Sequence, residues 1–211
     1  AQFRPFINAY QYMEYDSNDN KYASTSVIFK SWKDEPIDTK GGVRCGKVIG
    51  KDKDQLTDAE IAAQKSIKCY RLVYGLLSMD CTKANGEPTS VKDMPVLWRV
   101  TGMNFKPIGE TLKGLKGRNS LMFNHVLNLS AKRKKSGDNI FYIASIDVDD
   151  KQVEFTKKDL STMELFAETI GEENKKIVEA WKEAQKGKST GKDSASEEMM
   201  KEISPEEALA S

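Results

Sequence analysis

The chain has 211 residues with 38% hydrophobic and 31% charged side chains, and its formal net charge is +1. This composition predicts a globular protein with its own core, because intrinsic disorder requires lower hydrophobicity or a larger net charge. No apolar run approaches the roughly 20 residues that cross a bilayer, and the first ten residues lack the features of a signal peptide. We therefore predict a cytoplasmic, non-membrane protein.

Short segments rich in β-branched and aromatic residues predict five strands, at residues 24–30, 67–74, 95–101, 122–129 and 140–148. A first hairpin is predicted around Tyr10 and Tyr12, followed by the polar turn at 16–20. Between the last two strands, Ser136, Gly137 and Asp138 supply turn residues. This pattern predicts a β-hairpin with a long basic tip.

Helical signals are fewer and lie mostly near the C-terminus. Thr57 with Glu60 has the spacing of a capping box, and residues 112–116 predict a helix that nearby glycines weaken. Thr156 with Asp159 predicts a second capping box, followed by apolar residues at helical spacing. We expect Gly171 to interrupt this helix, with a second helical segment continuing to about residue 185.

The strands do not alternate regularly with long helices, which disfavours a doubly wound sheet. We predict an α+β protein whose residues 1–186 form a mainly antiparallel, five-stranded OB-like barrel with peripheral helices and a helical C-terminal segment. Residues 187–211 hold three basic and six acidic side chains, and the first ten of them are rich in Gly, Ser and Lys. This composition predicts a flexible linker followed by an acidic tail.

Positive charge is concentrated between residues 99 and 135, where nine basic residues face a single acid, Glu110. If these side chains fold onto one face, they form the electrostatic footprint expected for a polyphosphate backbone. The alternative for the run at 132–135 is a solvated loop. The nine basic residues are Arg99, Lys106, Lys113, Lys116, Arg118, Lys132, Arg133, Lys134 and Lys135.

Aromatic residues lie within and beside this basic stretch. Exposed rings could stack on unpaired bases while the cations hold phosphates. The alternative for each ring is core packing, which is common for rings on strands. The candidate stacking rings are Trp98, Phe105, Phe123 and Tyr142.

Residues 41–47 match the Gly-x-x-x-x-Gly-Lys spacing of a phosphate-binding loop. Val48 stands where such a loop needs Ser or Thr to bind magnesium, and no convincing helix follows. We therefore interpret Arg44 and Lys47 as candidate phosphate contacts, with an ordinary turn as the alternative.

No pattern of catalytic residues is recognisable, so we predict that the protein is not an enzyme. Asp147, Asp149 and Asp150 could hold a divalent ion, but acids at the end of a strand are usually solvated. The widely spaced Cys45, Cys69 and Cys81 are more typical of reduced structural thiols than of a zinc site completed by His125. We predict no metal and no cofactor.

In layout the chain resembles bacteriophage single-stranded DNA-binding proteins, which are small barrels with a basic, aromatic-lined groove and an acidic C-terminal tail. The resemblance covers the strand order, the stretch 98–142 and the tail 197–211, although this tail lacks the terminal aromatic residue that many such proteins carry. It implies a viral protein of the host cell cytoplasm that coats single-stranded DNA without sequence specificity during replication, recombination or repair. It also implies that the tail contacts replication or recombination proteins or competes for the protein's own groove.

A competing interpretation is a viral accessory or inhibitor protein whose basic hairpin binds an acidic protein surface. RNA in place of DNA, and self-association into a homo-oligomer, are left open by the sequence.

Overall fold

The computed structural model describes residues 1–16, 18–31, 34, 36–40, 56–59, 61, 66–116 and 121–186. In this part of the chain, six strands and two α-helices follow one another, with short 3-10 turns at Gly102–Asn104 and Met122–Asn124. The elements are β1 (Gln2–Asp16), β2 (Lys21–Thr25), β3 (Ile67–Thr82), β4 (Pro88–Val100), α1 (Phe105–Lys116), β5 (Leu127–Ser136), β6 (Asn139–Val148) and α2 (Lys157–Lys186).

The six strands form one sheet in the order β4-β3-β1-β5-β6, with β2 paired to β1. Each pairing whose register is defined is antiparallel: β1 with β2 and β5, β3 with β4, and β5 with β6. The predicted α+β class with a mainly antiparallel sheet is confirmed. The predicted five-stranded OB-like barrel is not, because the sheet has six strands and stays open, with β4 and β6 unpaired to each other in the described residues.

The turn that leaves β4 explains part of this opening. The side-chain oxygen of Asn104, in the 3-10 turn Gly102–Asn104, accepts a hydrogen bond of 2.9 Å from the backbone N–H of Ala144 on β6. A backbone N–H that bonds a side chain cannot also bond a neighbouring strand. The turn therefore occupies the edge of β6 at the position where another strand would have to pair.

The chain divides into two compact units. The first comprises Ala1–Asn8 and Arg71–Met163, and the second comprises Ala9–Tyr70 and the residues from Glu164 onward. β1, β3 and α2 each contribute residues to both units.

The core of the first unit forms between α1 and the inner face of the strands. Ile108, Leu112 and Leu115 of α1 are buried at helical spacing and join a cluster with Phe3 and Leu127. α1 therefore begins seven residues before the predicted start at Leu112. Burial of this apolar stripe outweighs the helix-weakening effect of its glycines.

The segment before β5 differs from the sequence prediction. Residues 122–129 were expected to form a strand, but Met122–Asn124 is a 3-10 turn and β5 begins at Leu127. Met122 and Phe123 are both buried. They belong to different groups of side chains: Met122 packs in the cluster around Phe3, whereas Phe123 contacts Phe6 and Phe155.

In the second unit, the ring of Tyr12 stacks on Phe29 with centroids 5.2 Å apart. The side-chain amide of Gln11 donates to the Ser26 carbonyl at 3.0 Å and to the Glu173 carboxylate at 2.9 Å. The side-chain amide of Asn174 donates to the Ile28 carbonyl at 3.0 Å. These bonds hold the middle of α2 against β1 and against the segment that follows β2.

α2 is one uninterrupted helix of 30 residues. The predicted interruption at Gly171 is wrong, because the buried positions Phe166, Ile170 and Ile177 continue a single apolar stripe across it. Packing of such a stripe outweighs the roughly 1 kcal/mol that a glycine costs inside a helix.

The predicted capping box at the start of α2 is present. The backbone N–H of Asp159 donates to the Thr156 hydroxyl at 3.2 Å, while the Asp159 carboxylate accepts from the Thr156 backbone N–H at 2.8 Å. The Arg4 guanidinium lies 3.1 Å from the same carboxylate. Burial alone would raise the pKa of Asp159. The hydrogen bonds from Thr156 and the charge of Arg4 lower the pKa by more than burial raises it, so the pKa lies below the ordinary value of 3.8.

A depressed pKa in the folded state contributes stability that is present above pH 3.8 and is lost as the pH falls through the folded-state value. We predict that Asp159→Asn lowers the free energy of unfolding by about 1–3 kcal/mol at pH 7, because a charged acceptor of several hydrogen bonds is removed. In urea denaturation, the difference from the wild type should shrink below pH 3.8. An equal difference at pH 7 and at acidic pH would contradict this assignment.

Candidate nucleic-acid interface

β5 and β6 form the hairpin that the sequence predicted. Ten residue pairs connect them, from Leu127 opposite Val148 to Ser136 opposite Asn139. Gly137 and Asp138 form the two-residue turn, and Gly137 has φ +59°. A positive φ at the first central residue is typical of a type II′ turn, which favours glycine there.

The base of this hairpin is part of the core, whereas its tip projects into solvent. Leu127 is fully buried, and Leu129 and Ile146 pack against the cluster around Phe3. Every residue from 130 to 140 is exposed. We call residues 130–143 the basic ribbon. Its cations are therefore held away from the core by an anchored pair of strands.

The cross-strand register divides the basic ribbon into two faces, since side chains alternate along each strand. Arg133 lies opposite Tyr142, and Lys135 lies opposite Ile140; these four residues form the Tyr142 face. The other four, on the Phe141 face, are Lys132, Lys134, Phe141 and Ile143. Each face thus combines two cations with one aromatic ring.

The two rings differ in accessibility. Tyr142 is 63% exposed, whereas Phe141 is half-buried. Because directly opposite residues have Cβ atoms about 5 Å apart, Arg133 and Tyr142 can contact the phosphate and the base of one nucleotide. The ribbon carries four cations and one acid, Asp138, for a net charge of +3.

The hairpin of β3 and β4 offers a contrast inside the same unit. Its tip, residues 80–93, is also largely exposed but carries two cations and three acids. One of the cations, Lys83, is 3.2 Å from the Glu87 carboxylate. Of these two described hairpins, only the β5–β6 hairpin has a basic tip.

Three of the four candidate stacking rings lie largely in the core. Phe123 is 5% exposed and contacts Phe6 and Phe155. Trp98 is half-buried, with its ring edge-on to Phe3 at 5.6 Å. Phe105 is half-buried, and the Arg71 guanidinium lies 4.8 Å from its ring centroid. Among the four, Tyr142 alone presents most of its ring to solvent.

Arg99, Lys106 and Lys113 are exposed but do not all lie on one surface. Arg99 lies on β4 next to Trp98 and so points to the opposite face of that strand. Lys106 lies two residues after Asn104, which bonds β6, and is 3.8 Å from Glu110. Lys113 is on the solvent side of α1, and Lys116 is its last residue.

Several predicted features lie outside the described residues. They are Arg44 and Lys47 of the glycine loop, the side chain of Lys116, Arg118, Cys45, and the linker and acidic tail at 187–211.

The described residues contain no group of three or more His, Cys, Asp and Glu side chains that could hold a metal ion. No helix in this part of the chain is sufficiently long and apolar to cross a lipid bilayer.

Comparisons with protein-family models, with curated proteins and with solved structures find no match to this chain. Its function is therefore inferred from the residues and geometry of the ribbon.

Sequence reasoning did not single out Phe141 as a site residue, nor the pairing of Arg133 with Tyr142. The turn sequence contained the information needed to predict that Phe141 lies on the ribbon and that Arg133 pairs with Tyr142. Once Gly137 and Asp138 are taken as a two-residue turn, each residue of β5 has a defined partner on β6. The burial of Phe123 had no comparable local signal, because it depends on Phe6 and Phe155, which are distant in sequence.

The different environments of the rings predict different costs of truncation. Phe123→Ala should lower the free energy of unfolding by about 3–5 kcal/mol, because it leaves a cavity in a packed aromatic cluster. Tyr142→Ala should change it by less than about 0.5 kcal/mol, because the ring is mostly solvated. Chemical denaturation of both variants measures the contrast. Comparable losses would show that the Tyr142 ring is packed and unavailable for binding.

Proposed function

We propose that this chain is a single-stranded DNA-binding protein that coats and protects transient single strands during replication, recombination or repair. The observation that carries the proposal is the basic ribbon, where the mostly exposed ring of Tyr142 lies opposite Arg133 and the half-buried ring of Phe141 lies opposite Lys134. The proposal does not require a closed OB-type barrel, because an anchored hairpin can present these groups from an open sheet.

The cations supply affinity through the phosphates. Lys132 and Lys134, like Arg133 and Lys135, are two residues apart on one strand, which separates them by about 6.8 Å. This spacing suits successive phosphates of an extended strand. Since phosphate contacts release condensed counterions, binding should weaken steeply as salt rises.

The rings account for the preference for unpaired bases. A base inside a duplex is already stacked on its neighbours, so Tyr142 and Phe141 can stack only on bases that are free. Each stacked base contributes about 1–3 kcal/mol. Every base has an aromatic face, and the cations contact phosphates, so this mode of binding is tolerant of sequence.

The alternative is a viral accessory or inhibitor protein that uses the ribbon to bind an acidic protein surface. The positive charge fits both functions, because acidic side chains and phosphates attract the same cations. The mostly exposed ring of Tyr142 beside Arg133 favours nucleic acid, since stacking on a base requires an accessible ring face.

Fluorescence anisotropy tests the proposal directly, with labelled single-stranded DNA, duplex DNA and RNA of mixed sequence at two salt concentrations. We predict that single-stranded DNA binds more tightly than duplex. Lys132→Glu with Lys134→Glu should weaken binding at least about tenfold and reduce the slope of log affinity against log salt by about 1.4, at roughly 0.7 per lost phosphate contact.

The matched control is Lys83→Glu with Lys92→Glu on the β3–β4 hairpin. It changes the net charge of the protein by the same amount at exposed positions outside the ribbon. We expect it to retain near-wild-type affinity. Equal weakening in both double variants would indicate unspecific attraction of DNA to the whole protein. Unchanged binding in the double variant of Lys132 and Lys134 would exclude the ribbon as the binding site. If this chain binds an acidic protein but has no affinity for DNA, the alternative is favoured.

A further inference from the structure

The two edge strands of the sheet are built differently. β4 contains Pro88 and Pro95, and its Asp93 has φ +50° close to an irregularity in the register with β3. Prolines, charges and bulges on an edge strand hinder pairing with another chain. Residues 139–146 of β6 contain no proline, glycine or charged residue, and their pairing with β5 shows no shift of register. Among the residues that the structure describes, the β6 edge therefore lacks these protective features.

Backbone hydrogen bonds show which residues of β6 face outward at this edge. The N–H of Ala144 leaves the β5–β6 ladder to bond Asn104, so Ala144 is at a position whose backbone groups point away from β5. Such positions recur at every second residue of an antiparallel strand. Ile140 and Tyr142 share this orientation, and Asn104 caps the edge beyond them. The segment open to pairing is therefore 139–143.

We propose that the β6 edge pairs with the same edge of a second copy of this chain. The two β6 strands run antiparallel around a two-fold axis at Phe141, so that Ile140 of each copy lies opposite Tyr142 of the other. In this register the outward N–H and C=O groups of Ile140 and Tyr142 all form hydrogen bonds across the interface. The result is a symmetric dimer of the isologous type.

Other registers use the edge less well. Centring the pair on Tyr142 would place Ile140 opposite Ala144, whose N–H already bonds Asn104. Centring it on Ile140 would place Tyr142 opposite Asp138, a residue of the turn. In the register around Phe141, Ile140 and Tyr142 pair only with each other, and Ala144 lies opposite Asp138 of the second copy, beyond the last hydrogen-bonded pair.

The side chains also complement themselves in this register. On one face, Tyr142 of each copy meets Ile140 of the other, an aromatic and β-branched pair of the kind that stabilises sheets. These residues are 63% and 50% exposed in the single chain. Pairing covers apolar surface that is otherwise solvated, so the dimer and a stacked base compete for the Tyr142 ring. On the other face, Phe141 meets Phe141 of the second copy.

Charge does not oppose the contact strongly. The cations at 132–135 lie on β5, so three strand spacings, about 14 Å, separate the two sets across the dimer. This distance exceeds the Debye length of about 8 Å at physiological salt. Five residues from each copy make a small interface, for which a weak, concentration-dependent dimer is expected.

Sedimentation velocity tests the dimer with the full chain, free of nucleic acid, between about 5 and 500 µM, which covers dissociation constants in the micromolar range. We expect the average mass to rise with concentration for the wild type. Ile140→Lys should lower the association constant at least about tenfold, because a charge at an edge position disfavours strand pairing. Met94→Lys, on the exposed β4 strand, is the matched control and should associate like the wild type.

Cysteine crosslinking tests the register. Phe141→Cys should form an intermolecular disulfide under oxidised glutathione, because non-hydrogen-bonded partners have Cα atoms about 4.5 Å apart. Asn139→Cys should not crosslink to itself, because the axis places it opposite Ile143. Mass spectrometry of the linked peptides separates these products from those of the native cysteines. A wild type that stays monomeric, equal association by Ile140→Lys and Met94→Lys, or equal crosslinking at 139 and 141 would overturn the proposal.

Discussion

The register between β5 and β6 determines which side chains act together in the candidate site. A two-residue turn at Gly137 and Asp138 places Arg133 opposite Tyr142 and Lys134 opposite Phe141. A shift of one residue would move every side chain of one strand to the other face. Leu127 and Leu129 would then leave the core, so burial at the base of the hairpin selects the same register that brings each ring beside its cation.

Anchoring also explains how an exposed ribbon can keep a defined shape. An isolated two-stranded hairpin is at best marginally stable in water. Here the base of the hairpin packs on the cluster around Phe3, and the Ala1 carbonyl accepts a hydrogen bond of 2.7 Å from the Leu129 backbone N–H. Asn104 holds the other side of the hairpin at Ala144. The tip beyond these contacts is free to meet a ligand, while its base is fixed by the core.

Local chemical signals predicted part of this structure well. Thr156 and Asp159 identified the start of α2, and Ser136 to Asp138 identified the hairpin, because capping and turn formation depend on a few neighbouring residues. Features that depend on distant contacts were missed. The turn at Met122–Asn124, the continuity of α2 through Gly171 and the edge cap by Asn104 each follow from packing or hydrogen bonding that the local pattern does not encode. The same limit applies to the rings, since only tertiary structure separates the exposed Tyr142 from the buried Phe123.

Photochemical crosslinking provides the most direct test of whether the ribbon contacts nucleic acid. Irradiation of the full chain with a thymidine-rich single strand, followed by peptide mass spectrometry, identifies the side chains that lie against bases. We expect adducts at Tyr142 and Phe141 that a competing unlabelled single strand suppresses, and none at Phe123. Adducts confined to peptides outside residues 130–143 would contradict it.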